Sequence, residues 1–368
     1  MGAQSIDDLA TPFLYVDLDR MNSNIESMAA GARSHGVRLR PHAKTHKVPE
    51  IARLQIAAGA TGITLAKISE AEVFAEAGID DVFIAYQIVA PAQLERLVAL
   101  ARRVRLRCAV DGREGAEALS RAARDGGVEL QVLLEIDLGI GRTGVRPGGA
   151  ACELADRVTK LPNLKLIGVY GFRGFRAFDE GAEGRDAWGR AEGEALTSVA
   201  GDLRTLGLPI AEVSAGSTPT ALPAASVQGV TEIRPGQYLF GCANVVAQGA
   251  MRAEDVALFA RATVISRPAE DRAVVDAGSK TLSMDGPWEP GRGFGYLASD
   301  PSTRVTGLWE EHGVLGLAEN ARGLRVGDRV SIVPNHVCTA VNLHDRIVGV
   351  HDDRVDAIWT VAARGRTE

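Results

Sequence analysis

Residues 62–110 read GITLAKISEAEVFAEAGIDDVFIAYQIVAPAQLERLVALARRVRLRCAV, a stretch in which short apolar runs alternate with longer amphipathic ones. The runs at 62–66, 82–85 and 106–110 have the length and content of buried strands. Between them, 70–77 and 91–101 carry helical periodicity and are long enough to cross from one parallel strand to the next. The same form extends in both directions. Strands are expected at 14–17 and 37–40 upstream and at 130–136, 166–170 and 211–214 downstream, with further helices at 49–58 and 191–206. Eight strands with seven or eight crossovers predict an α/β fold, a closed (β/α)8 barrel; a doubly wound open sheet would give a similar string. From about residue 255 the pattern changes to strands separated by turns, at 256–266, 273–276, 307–310, 329–333, 346–351 and 355–361. That change predicts a barrel domain over 1–250 and a smaller antiparallel β domain over 251–368.

The composition is that of a globular chain: of 368 residues 46% are apolar and 24% charged, with 41 glycines and 15 prolines dispersed. A net charge of −6 gives no basic face for a phosphate backbone, so nucleic acid is not expected as a partner. Arg102, Arg103, Arg105 and Arg107 alternate in part with apolar residues and read as a solvated strand face. No apolar run reaches the ~20 residues of a membrane span, and the start MGAQSIDDLATP has no signal-peptide form, so a cytoplasmic protein without membrane contact is expected. Cys108, Cys152, Cys242 and Cys338 show no disulfide spacing.

Three segments can carry chemistry. The first is Arg40-Pro41-His42-Ala43-Lys44-Thr45-His46-Lys47, at the end of the second expected strand. Strand C-termini of a barrel face the active site, and positive neighbours favour the neutral amine of Lys44, a nucleophile toward an aldehyde. Taken alone, KTHK equally fits a basic surface loop. The second is Ser214-Ala215-Gly216-Ser217-Thr218-Pro219-Thr220, after the eighth expected strand, where small residues and hydroxyls suit a phosphate or else an ordinary turn or helix cap. The third is Pro334-Asn335-His336-Val337-Cys338. An imidazole and a thiolate two positions apart on an extended chain point to one side, as two ligands of a metal ion would; HxC also occurs by chance.

In order along the chain, TPFLYVDLD, RPHAKTHK, AKISEAEVFAEAGIDDVFIA (66–85), SAGSTPT, EIRPGQYLFG, VVDAGSK and PNHVCTAVNLHD resemble the family of D-threonine aldolases and D-serine dehydratases, whose N-terminal domain is like that of alanine racemase. The resemblance runs nearly end to end. It implies a pyridoxal 5′-phosphate (PLP) barrel with a C-terminal β domain, assembled as a homodimer and acting on a small D-amino acid. Lys44 matches the family's Schiff-base lysine, and His336 and Cys338 match its metal pair. Gly216, Ser217 and Thr218 fall at the cofactor phosphate, Tyr238 among the pocket residues, Arg142 near the cofactor ring, and His42 close by.

Family aldolases tend to carry aspartate at the position of Cys338 and dehydratases cysteine. A thiolate favours zinc, a carboxylate manganese or magnesium, so the resemblance leans toward dehydration of a D-3-hydroxy amino acid to a 2-oxo acid and ammonia. The alternative is retro-aldol cleavage to glycine and an aldehyde. Arg173 stands where relatives often have a histidine, and is the candidate for a substrate carboxylate. An amino-acid racemase would use the same barrel without the metal pair, and a non-catalytic PLP carrier would leave the β domain unexplained.

Overall fold

The computed structural model describes residues 4–174, 181–286 and 291–368. Apolar spacing builds its helices. In the helix Arg113–Gly126, Ala116, Leu119, Ser120 and Ala123 form one buried stripe, and Gly127 closes the end by donating its N–H to Ala123 and Arg124. The helix Pro91–Ala101 starts on proline, whose missing N–H would have been unpaired there, and buries Leu94, Leu97 and Val98.

The chain forms two compact units, and neither is one continuous stretch: the first comprises 27–44, 49–236 and 366–368, the second 1–26, 45–48 and 237–365. This differs from the single cut expected at 250. Among the described residues no helix is long and apolar enough to cross a membrane.

The strands in chain order are β1 (Phe13–Asp17), β2 (Arg38–Leu39), β3 (Ile63–Leu65), β4 (Asp81–Gln87), β5 (Arg105–Val110), β6 (Leu130–Ile136), β7 (Leu164–Gly171), β8 (Glu212–Ala215) and β9 (Glu232–Ile233). In the first unit, β2 to β9 make an eight-stranded parallel sheet in the order β2-β9-β8-β7-β6-β5-β4-β3. A parallel bridge between His42 and Thr64 joins its two edge strands. The expected barrel is therefore present, but not with the expected first strand. The segment at 14–17 is β1 and pairs in the other sheet, whereas the barrel takes β9, a two-residue strand whose Glu232 breaks any apolar run.

At the strand starts the barrel interior is charged. Arg40, only 1% exposed, meets Glu232 at 2.8 Å and Asp81. Arg107 also meets Asp81 and lies 3.5 Å from Glu212. The arginine face expected to be solvated is so only in part, because Arg107 is largely buried against these carboxylates, while Arg105 stays exposed and reaches Asp81 at 3.5 Å.

The second unit adds β10 (Leu258–Ala269), β11 (Arg272–Val275), β12 (Gly295–Leu297), β13 (Asp300–Leu308), β14 (Gly313–Gly316), β15 (Arg329–Pro334), β16 (Arg346–His351) and β17 (Arg354–Thr360). Six strands close an antiparallel circuit, β10-β11-β14-β13-β12-β15 and back to β10. The long β10 makes this possible by pairing β15 with its first half and β11, through register shifts, with its second. On its other edge β10 holds β1, which in turn pairs β16 in parallel. Val256, Phe259, Tyr296 and Val333 form part of this unit's core.

Candidate active site

In the barrel unit the candidate residues gather at strand exits, as the fold requires. Beyond β2 come His42 and then the short turn Ala43–Thr45, on which Lys44 is exposed. The Nδ1 atom of His42 is buried and has no hydrogen-bond partner among the described residues. Burial, followed by the charges of Lys44, Arg234 and Arg142, holds this imidazole well below its usual pKa. The charges of Lys44, Arg234 and Arg142 thus act on one neutral ring, which suits an anionic ligand.

Arg142 lies in the loop after β6, where Asp137 accepts the Gly139 N–H (3.0 Å) and Asp111 the Gly144 N–H (3.1 Å). Its guanidinium sits 5.3 Å from the Phe172 ring centre and 3.9 Å from Glu135, which also accepts the Tyr170 hydroxyl at 2.8 Å and the Thr143 hydroxyl at 2.8 Å. Arg173, after β7, packs over Trp188 at 4.2 Å and donates to its carbonyl. Among the described residues no carboxylate pairs with Arg173.

Sequence reading missed Arg234, although it lies in the quoted EIRPGQYLFG segment. It is buried just past β9, donates to the Ser214 hydroxyl (2.9 Å) and the Gly171 carbonyl (2.7 Å), and lies 5.1 Å from the Tyr170 ring centre. An arginine before Pro-Gly after two strand residues carries no local signal of burial; only the barrel turns it inward.

Past β8, Gly216 takes φ +82°, and a Cβ there would lie 2.7 Å from Ala221 Cα, so glycine is needed for the turn itself. Its N–H donates to Glu192 at 3.0 Å, and the Ser217 N–H donates to the Thr220 hydroxyl at 2.9 Å. The Gly216 N–H is thus engaged in shaping the turn. Ser217 and Thr218 are half-buried on it.

In the β unit, His336 and Cys338 come together by a different route from the one expected. His336 is extended but caps the helix Val337–Val341, so Cys338 sits in a helical turn rather than two places along a strand. His336 Nδ1 contacts the Asp285 carboxylate, 51 residues away in sequence and invisible to spacing arguments. Burial opposes its charge, but the Cys338 thiolate and Asp285 raise it to about 9. The Cys338 sulfur lies 3.3 Å from the Thr45 hydroxyl and 3.7 Å from the Gln237 amide nitrogen. Thr45 follows Lys44 directly in the chain.

An imidazole oriented through Nδ1 by a carboxylate, beside a thiol, is a donor set that fits a zinc-like ion with open positions. Among the described residues no larger group of histidine, cysteine, aspartate or glutamate gathers to hold a metal. Tyr238 is buried in the turn Gln237–Leu239 of the same unit. An open cleft of about 610 Å³ beside Tyr15 and Phe259 has its arginines engaged, Arg20 with Asp17 and Arg261 with Asp7, and points to no ligand.

Residues 16–244 match the alanine racemase N-terminal domain family, and 257–350 the serine dehydratase domain family. The chain is 36% identical over 369 residues to a D-threonine aldolase from Arthrobacter sp, covering 99% of this chain and 96% of that protein. It is 38% identical over 347 residues to D-threo-3-hydroxyaspartate dehydratase from Delftia sp. strain HT23, covering 90% and 91%. The crystal structure of D-threonine aldolase from Filomicrobium marinum superposes with a TM-score of 0.90 at 34% identity, covering 100% of this chain and 99% of that one. A cysteine-to-alanine variant of a D-threo-3-hydroxyaspartate dehydratase, solved in a metal-free form, superposes with a TM-score of 0.89 at 34% identity over 97% and 98%.

A barrel with its lysine at a strand exit, followed by an antiparallel β unit, defines an enzyme of the alanine racemase fold class. Within that class the chain belongs to the D-threonine aldolase and D-serine dehydratase family of PLP-dependent lyases acting on D-3-hydroxy amino acids.

Proposed function

We propose that this chain dehydrates a D-3-hydroxy amino acid to a 2-oxo acid and ammonia, as a cytoplasmic homodimer using PLP and zinc. The observation that carries the reading is the His336–Cys338 pair, with its imidazole oriented by Asp285. Thiolate ligation favours zinc over manganese or magnesium. The metal-free variant of the hydroxyaspartate dehydratase named above supports a metal role in a relative at 34% identity.

Lys44, His42, Arg142 and the Gly216–Thr218 turn would hold PLP, with Tyr238 assigned to the pocket as well. The charges acting on His42, whose Nδ1 has no partner among the described residues, are the feature that fits an anionic cofactor. When bound, PLP supplies an electron sink for bonds broken at the amino-bearing carbon. The Lys44 amine takes the proton from that carbon. His42, held neutral, adds no further charge beside that amine. His336 and Cys338 would hold the cation, which would supply a Lewis acid for the 3-hydroxyl. Arg173, with no carboxylate partner among the described residues, would bind the carboxylate of the substrate.

Retro-aldol cleavage is the second reading, favoured by the 36% identity to a D-threonine aldolase. Products from D-threonine, with PLP and zinc or manganese supplied, separate the two. Formation of 2-oxobutyrate and ammonia is expected; glycine and acetaldehyde would replace dehydration by the aldol reading.

A further inference from the structure

The helix Gly181–Thr205 carries a carboxyl that the reaction does not use. Glu192 is fully buried, and its Oε1 accepts the Gly216 N–H at 3.0 Å. The Thr220 side chain and the Arg173 backbone act on the same carboxyl, while among the described residues Oε2 has no hydrogen-bond partner. One group on one helix therefore holds the chain where it leaves β8. Gly189, a turn earlier, permits the approach: a Cβ there would lie 2.7 Å from Pro223 Cβ and 2.9 Å from the Thr220 carbonyl oxygen.

We propose that Glu192 is the positioning residue for the cofactor phosphate, fixing the shape of the Gly216–Thr220 turn from behind. The inference rests on the proposed reading of that turn as the phosphate site. With the Gly216 N–H tied to Glu192 and the Ser217 N–H to Thr220, the turn is ordered before a ligand arrives, and ordering it costs no affinity at binding. A phosphate beside an ionised carboxylate would be repelled. Burial pushes the Glu192 pKa up, against the pull of Thr220, the Gly216 N–H and Arg234, and so reduces that repulsion.

The test compares PLP with unphosphorylated pyridoxal, each titrated into the apoprotein and followed by absorbance. Glu192→Ala strands the Gly216 N–H and is expected to weaken PLP roughly tenfold while leaving pyridoxal unchanged. Glu192→Gln keeps an acceptor for that N–H and should stay close to the parent for both. Should Glu192→Ala not fold, Thr220→Val takes its place, with the same loss expected for PLP alone. Equal weakening of both ligands, or of neither, overturns the inference. A parent protein that binds PLP no better than pyridoxal would overturn the phosphate reading of the turn, and this inference with it.

Discussion

The Cys338 sulfur contacts the Thr45 hydroxyl and accepts from the Gln237 amide. On the proposed reading, substitution of Cys338 by alanine removes one ligand of the metal. Cys338→Ala should therefore keep the visible absorbance of bound PLP, lose the metal on dialysis, and lose metal-dependent turnover at least ~100-fold. Lys44→Ala should do the reverse, abolishing that absorbance while metal content persists. Metal analysis and a spectrum on the two variants check both arms. Lys44, His336 and Cys338 were legible in the sequence because each lies in a short segment of unusual chemistry. Asp285, Arg234 and Glu192 were not, because their partners lie 18 or more residues away along the chain and only folding brings them together.

The helix Gly181–Thr205 packs so closely against the segment after β8 that a single methyl group has no room at Gly189. Two effects compete in Gly189→Ala. Alanine gains about 1 kcal/mol in helix propensity, whereas overpacking against a rigid proline ring and a backbone carbonyl costs roughly 1–3 kcal/mol. We expect the clash to win. The variant should show a lower midpoint of urea unfolding with an unchanged slope, and an unchanged or higher midpoint would show that the helix can move away. Strand reading failed at this scale for a related reason. A strand such as β9, two residues long with one glutamate, has no period to detect, and β1 carries the apolar run of a barrel strand although its hydrogen bonds go to β10 and β16.

Across the whole molecule, alternation of strand and helix was sufficient to announce the barrel, and the loss of that alternation announced the β unit. What the pattern could not show is that the chain passes between the units four times after its first 26 residues and before 365, once directly after Lys44. Leu14 and Val16 of β1 are fully buried in the second unit. Burial of the two contributes roughly 3–6 kcal/mol, a large share of a typical ~5–15 kcal/mol stability. Removal of residues 1–17 should therefore unfold the β unit, with proteolysis cutting readily around β16 and β17. Resistance of that hairpin to protease would show that β1 is dispensable.

The position of β1 also bears on inheritance. A recombination or splicing event in 245–256, between the two matched domain families, would carry β1 away from β10 and β16. An exchange there would leave the acquired β unit with a gap between two strands that only its own amino terminus can fill, so the two ends of the gene must travel together.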